Sequence, residues 1–131
     1  TYDDYANDHN CVVVVPFEKA GGAYWWGEKA GTTWAYSRFL GEVLTQFAAE
    51  YLGCSSARED HLLIGYSKSG NVALRQLLMY DDVWGYAGAG DAAWLNEYNE
   101  NAADQSYDSE ALYESQDPKL ILPSLYGNIN D

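Results

Sequence analysis

The chain has 131 residues, 47% hydrophobic and 15% aromatic, which predicts one packed domain over residues 1–131 and argues against disorder. Twenty acidic residues against seven basic ones give a formal net charge of −13. That charge argues against nucleic acid or an anionic membrane surface as a partner, because both bind clustered Lys and Arg. No apolar run is long enough to span a membrane. A cytoplasmic and a secreted location both stay open.

The first half of the chain predicts a helix, a strand, a loop and a second helix. Residues 2–9 read as the end of a polar helix, and Cys11–Val15 is a β-branched run typical of a parallel strand buried on both faces. Residues 17–33 form a long loop with four glycines. Residues 34–52 predict a helix that ends at Gly53. Its inward face would hold the apolar positions spaced by three and four: Phe39, Leu40, Val43, Leu44, Phe47, Ala48 and Tyr51.

The second half continues the alternation of strands and helices. The predicted elements are a strand at His61–Ile64, a tight turn at Gly65–Gly70, a helix at Asn71–Tyr80, a strand at Val83–Ala89, a short helix around Ser109–Ser115 and a strand at Lys119–Leu125. In the helix at 71–80, the inward residues would be Val72, Leu74, Leu77 and Leu78. Strands that alternate with helices predict an α/β fold, a three-layer sandwich with a mostly parallel sheet.

The cysteine pattern points to no cofactor. Cys11 and Cys54 match neither a disulfide framework nor a zinc site, and free buried thiols are the expectation, although the sequence leaves open whether they pair. No His, Cys and Asp cluster stands at ligand spacing, so we expect neither a metal nor a cofactor. The chain begins at Thr1 rather than Met, which we interpret as a processed or partial chain.

Residues 65–70, Gly-Tyr-Ser-Lys-Ser-Gly, lie between the apolar strand and the helix and are read as a G-x-S-x-G motif, in which Ser69 takes the position of the second glycine and Gly70 follows it. That context is what a nucleophile elbow requires, with the serine on a strained turn and small residues two positions away. We therefore expect a positive φ at Ser67. The backbone N–H of Lys68, at the helix start, would donate to an oxyanion. The alternative is that Ser67 only caps the helix and the glycines only serve the turn.

Nearly the whole chain resembles the putative-esterase branch of the α/β-hydrolase superfamily, the group with S-formylglutathione hydrolase-like and feruloyl-esterase-like enzymes. The resemblance rests on the ordered segments VVVVP, AGGAYWWG, RFLGEVLTQF, LLIGYSKSG and YAGAGDAAW. It implies that Cys11–Val15 is the fourth strand of the family sheet and that earlier strands, with the second oxyanion donor, lie upstream of Thr1.

The resemblance also implies a triad in which the acid follows the serine and the histidine comes last. Asp131 stands where the family acid is expected, with Asp91 as an alternative acid or a pocket residue. His9 and His61 both precede strands, so they would lie about 13–17 Å from Ser67, beyond the roughly 3 Å reach of a base. The general base would then lie beyond Asp131 or come from another chain that completes the fold.

The function expected from these residues is a serine carboxylic-ester hydrolase that acts on a small-molecule ester through an acyl-enzyme on Ser67. The aromatic loop residues Tyr24, Trp25 and Trp26 leave the carboxyl end of a strand, where α/β proteins bind ligands, and are expected to line the pocket with Tyr66 and Asp91. They would equally serve to cover a hydrophobic edge. Two rival functions stay open: a non-catalytic binding or scaffold protein with the hydrolase fold, and an acyltransferase with the same elbow.

Overall fold

The computed structural model describes residues 1–16, 36–92, 98 and 110–126. At its centre is a two-stranded parallel sheet, β1 (Leu62–Tyr66) and β2 (Tyr86–Gly90), joined by helix α4 (Lys68–Met79). The strands are in register from Leu62 opposite Tyr86 to Tyr66 opposite Gly90. Because parallel neighbours need a crossover connection, α4 returns the chain over the sheet and packs on both strands. The predicted α/β class is confirmed in this coarse form.

Both strands start and end later than the sequence predicted. At β2, the N–H groups of Val83 and Trp84 donate to the carbonyl of Tyr80, so these two residues close a turn before the strand begins. At β1, the strand continues to Tyr66 and the helix starts at Lys68. The tight turn between them is therefore reduced to Ser67.

The predicted helix at 34–52 is present from Tyr36 onward and is composed of three segments. These are α2 (Tyr36–Arg38), a π-helical segment (Phe39–Leu44) and α3 (Thr45–Leu52), which ends at Gly53 with φ 69° as predicted. The predicted apolar face was mostly wrong, because only Leu40 is buried, with Leu44 partly buried beside it. Exposure of 39% to 66% remains at Phe39, Val43, Phe47 and Tyr51.

Helix α1 (Tyr2–His9) is confirmed, but the strand predicted after it was wrong. Residues 11–16 adopt no regular secondary structure, although Val12, Val14 and Val15 are β-branched and 43% to 60% exposed. A β-branched run becomes a strand only when another strand pairs with it, and in the described chain β1 pairs with β2 alone. Cys11 is exposed rather than buried, and Cys54 is half-buried; both are free thiols.

An open groove of about 2270 Å³ lies between residues 12–16 and β1. Its walls include Leu40, Leu44 and Val72, as well as the strand residues of β1. Leu62 and Ile64 of β1 are 50% and 75% exposed. Within the described residues, the unpaired edge of β1 and the face that carries Leu62 and Ile64 therefore expose apolar surface to the groove.

The C-terminal part of the described chain is helical, which confirms one prediction and corrects another. Helix α5 (Glu110–Gln116) lies where a short helix was expected, whereas the strand predicted at Lys119–Leu125 is helix α6 (Pro118–Tyr126). Asp117 starts α6: its side chain accepts from the N–H of Lys119 at 3.0 Å, and its carbonyl accepts from Leu120 and Ile121. An Asp cap followed by Pro at the first helical position is a helix-start signal that the apolar run concealed.

The buried face of α4 is more polar than its leucines predicted. Asn71, Arg75 and Gln76 are at most 1% exposed, while Leu74, Leu77 and Leu78 are only half-buried. Gln76 donates to the Ser37 hydroxyl at 2.7 Å, and Arg75 donates to Gln116, so these side chains tie α4 to α2 and α5. Hydrogen bonds of this kind offset the cost of burying polar groups. No helix of the described residues is long and apolar enough to cross a membrane.

Candidate active site

Ser67 occupies a strained turn between β1 and α4. Its φ of 55° and ψ of −120° lie outside the regions that L-residues normally adopt, as expected for the serine of an elbow. Its N–H donates to the carbonyl of Gly90 at 2.9 Å, which anchors the turn to the end of β2. The Ser67 side chain makes no capping hydrogen bond to the helix and is exposed. The hydroxyl therefore stands outside the helix, above the carboxyl end of the sheet.

The glycines on either side of the serine are required by close backbone contacts. A Cβ at Gly65 would fall 2.0 Å from the carbonyl oxygen of Ser69, a distance that no real side chain tolerates. A Cβ at Gly70 would fall 3.2 Å from Ala92 and 3.3 Å from the carbonyl oxygen of Gly90. Gly65 thus lets the end of β1 approach the start of α4, and Gly70 leaves room for the start of α4 beside the end of β2.

Ser69 has a role that the sequence did not reveal. Its hydroxyl accepts from the N–H of Tyr66 at 3.0 Å and donates to the carbonyl of Tyr66 at 2.8 Å. Both backbone groups of the last residue of β1 are thereby satisfied by one side chain. Serine side chains often bond to backbone groups a few residues away. The spacing of Tyr66 and Ser69 could therefore have predicted this bond.

The start of α4 brings backbone amides close to Ser67. The backbone amides of Gly70 and Asn71 donate to the carbonyl of Ser67, at 3.0 Å and 3.4 Å. Lys68, the predicted oxyanion donor, is the first helical residue and precedes those amides. Amides at a helix start carry a partial positive charge, which favours negative charge developing at the serine.

Tyr66 and Asp91, two predicted pocket residues, are brought together at this edge of the sheet. The Tyr66 hydroxyl donates to Oδ2 of Asp91 at 3.3 Å. Asp91 directly follows β2 and has a φ of 44°, and both side chains are exposed. The structure therefore places Tyr66, Ser67 and Asp91 side by side.

His61 lies at the opposite end of β1 from Ser67. His61 precedes β1, and its ring nitrogens contact the backbone carbonyls of Val83 at 2.8 Å and Ser55 at 2.9 Å. The six residue positions between His61 and Ser67 span about 20 Å along a strand. His9 lies in α1, with its ring 4.3 Å from that of Tyr5. The expectation that His61 does not serve as the base is consistent with its position. The same expectation for His9 rested on a strand at Cys11–Val15, which is absent, so it stays a prediction.

The remaining predicted site residues, Asp131, Tyr24, Trp25 and Trp26, lie outside the described residues. Among the residues that are described, no group of three His, Cys, Asp or Glu side chains comes together to hold a metal ion. Comparison with protein-family models, with characterised proteins and with solved structures gives no match for the chain. The site is therefore interpreted from its own geometry.

Proposed function

We propose that this chain carries the nucleophile of a serine carboxylic-ester hydrolase with an α/β-hydrolase type of fold. The observation that carries the proposal is the conformation of Ser67, an exposed serine with positive φ at a strand-to-helix turn. A serine that served only as a cap would bond its hydroxyl to the first amides of α4, and Ser67 does not. Strain of about 1–3 kcal/mol at one residue persists where the surrounding structure enforces it, which is typical of active sites.

The proposed reaction proceeds through an acyl-enzyme. The Ser67 oxygen attacks the ester carbonyl and loses its proton to a general base, while the N–H of Lys68 donates to the oxyanion. The alcohol leaves with that proton, and water then attacks the acyl-enzyme and releases the acid. We propose that Asp131 orients the base, a histidine that neither His9 nor His61 supplies. We propose that the polypeptide that supplies this histidine, or other polypeptide that completes the fold, also supplies the second oxyanion donor. Tyr24, Trp25 and Trp26 are proposed to line the pocket.

The groove beside β1 supports a further part of the proposal, that more polypeptide completes the sheet. Exposed apolar residues along a strand without a partner on one side are an association site in soluble proteins. We expect that the 131 residues alone self-associate, with a mass above that of a monomer in analytical ultracentrifugation. A monomer with a sharp melting transition would contradict this expectation.

Covalent labelling by a fluorophosphonate tests the nucleophile. A complete protein with its histidine is expected to label rapidly at Ser67, and Ser67→Ala is expected to abolish the labelling. Ser56→Ala, which removes an exposed serine elsewhere, serves as the matched control. The 131 residues alone are expected to react slowly, since removal of a triad member leaves only about 10³–10⁴-fold acceleration over water. The absence of one oxyanion donor is expected to lower the labelling rate by a further factor of about 10².

The rival function is a non-catalytic binding or scaffold protein built on the same fold. The position of His61, with both ring nitrogens against backbone carbonyls at the other end of β1, favours this alternative. It predicts that the complete protein stays unlabelled at Ser67. An acyltransferase would label like a hydrolase, and transfer to an added alcohol rather than to water would distinguish the two.

A further inference from the structure

The two strands of the sheet end at the same level and in the same way. Tyr66 is paired with Gly90, so the next residues, Ser67 and Asp91, are neighbours across strands spaced about 4.8 Å apart. Both have positive φ, 55° and 44°, and the N–H of Ser67 donates to the carbonyl of Gly90. The backbone of Asp91 is therefore fixed directly beside the candidate nucleophile.

The Asp91 carboxyl group accepts a hydrogen bond from an uncharged side chain. Its partner at Oδ2 is the phenol of Tyr66, which orients the carboxyl group toward this edge of the sheet. The other oxygen, Oδ1, accepts no hydrogen bond from the part of the chain that the structure describes, and the residue is exposed. A bound molecule at Ser67 therefore meets a fixed, accessible negative charge.

We propose that Asp91 selects substrates by charge, so that the Ser67 site prefers esters that carry a cationic group, such as a quaternary ammonium. The inference rests on the proposed ester-hydrolase function and names its substrate class. Lys68 is the other charged residue at this turn, and an ammonium there would favour the opposite preference. The sign of the measured preference thus decides which charge governs the site. One unit charge a few ångströms away, at a partly exposed site, corresponds to a preference of about tenfold.

Two fluorophosphonates of equal shape test this preference, one with a trimethylammonium tail and one with a tert-butyl tail. The rate of Ser67 labelling, followed by intact mass in the complete protein, is expected to be about tenfold higher for the cationic probe. Equal rates, or a faster reaction with the neutral probe, would overturn the inference while leaving the nucleophile assignment intact.

Three variants assign the effect to Asp91. Asp91→Asn keeps a residue that tolerates positive φ and removes the charge, so the preference is expected to fall to at most about twofold. Asp82→Asn removes an equal charge from the exposed turn before β2, at the opposite end of the strand, and is expected to keep the preference. Tyr66→Phe is expected to give an intermediate value, because the carboxylate loses its anchor. Equal falls in Asp91→Asn and Asp82→Asn would attribute the effect to net charge alone and overturn the inference.

A binding measurement separates failure of the inference from failure of the proposed function. Amide chemical shifts of Ser67, Gly90 and Asp91 are recorded during titration with acetylcholine and with its uncharged isostere 3,3-dimethylbutyl acetate. Tighter binding of acetylcholine that is lost in Asp91→Asn would support the charge selection even if no probe labels Ser67. Equal binding of the two esters would overturn the inference irrespective of labelling.

Discussion

Helices α1 and α4 each have a hydroxyl residue at the N-cap position, Thr1 and Ser67, and the two hydroxyls act in opposite ways. At α1, the Thr1 hydroxyl accepts from the N–H of Asp4 at 3.2 Å, and the Asp4 side chain reaches back to the Thr1 backbone. At α4, Ser67 has a positive φ, and its side chain does not cap the helix. The first is a capping box that stabilises a helix start, whereas the second leaves an exposed hydroxyl at a helix start under strain. The comparison indicates that the Ser67 side chain does not stabilise the start of α4, as the Thr1 side chain stabilises the start of α1.

The largest expected effect comes from breaking the turn that holds Ser67. Gly65→Ala places a Cβ 2.0 Å from the Ser69 carbonyl oxygen, so strand and helix must separate, at a cost of about 3 kcal/mol or more. Urea unfolding measures the loss. The matched control is Gly88→Ala in β2, where a Cβ meets only Ile64 at 3.8 Å and the Leu63 carbonyl oxygen at 3.9 Å, so less than about 0.5 kcal/mol is expected. Equal losses in both variants would show that the close approach at Gly65 is not what shapes the turn.

A smaller effect of opposite sign is expected from Ser67→Gly. Glycine adopts positive φ without a Cβ penalty, so this variant should raise the free energy of unfolding by about 1 kcal/mol while removing the nucleophile. Ser67→Ala keeps the strain and should not show that gain. Asn10→Gly, also at positive φ with 48°, is the control with little expected change, since Asn tolerates this conformation. If Ser67→Gly is no more stable than Ser67→Ala, the serine is not strained.

The two helix starts should also differ when their hydroxyl is removed. Thr1→Ala is expected to cost α1 about 0.5–1 kcal/mol of local stability, seen as faster hydrogen exchange at the Asp4 amide. Ser67→Ala should leave exchange at Gly70 and Asn71 unchanged, because those amides bond to the Ser67 carbonyl and not to its hydroxyl. Faster exchange there would mean that the Ser67 hydroxyl caps α4 after all.

The smallest effect is a pH dependence confined to α1. The N-terminal ammonium of Thr1, first, and the Thr1 hydroxyl, second, lower the pKa of Asp4 below its ordinary 3.8. A carboxyl group whose pKa is lowered by folding stabilises the helix start fully at pH values above its ordinary pKa. This contribution is lost as the pH falls through the lowered pKa. Carboxyl NMR titration is expected to move the Asp4 pKa toward 3.8 on N-terminal acetylation, and by a smaller amount in Thr1→Ala. The reverse order would assign the larger effect to the hydroxyl bond.

The region around Ser67 was predictable from the sequence because its signals are local and agree with one another. An apolar run, glycines at 65 and 70 and a helical segment after them describe a strand, a turn and a helix within about twenty residues. Helix α1, the stop at Gly53 and α5 were predictable for the same reason. Each depends on short-range hydrogen bonds or on backbone preferences that a few adjacent residues decide.

Other features depended on partners distant in the chain. An apolar run such as Cys11–Val15 has strand propensity, but whether it becomes a strand depends on a pairing partner, which is a tertiary matter. The helix that covers residues 119–125 was missed for a different reason, since its cap at Asp117 is a local signal but apolar composition alone does not distinguish a buried strand from a buried helix. Two buried polar side chains of α4, Arg75 and Gln76, bond to Gln116 and Ser37, about 40 residues away in either direction.

The sequence by itself determined the α/β class and the strained serine at the start of a helix, because the residues that enforce them are neighbours in the chain. Only the tertiary structure showed how the side chains expected beside that serine contact each other. The Tyr66–Asp91 hydrogen bond joins residues 25 positions apart, and it forms because β1 and β2 end in register at the same edge of the sheet. Registers of this kind follow from how α4 packs on both strands, and no local pattern encodes them.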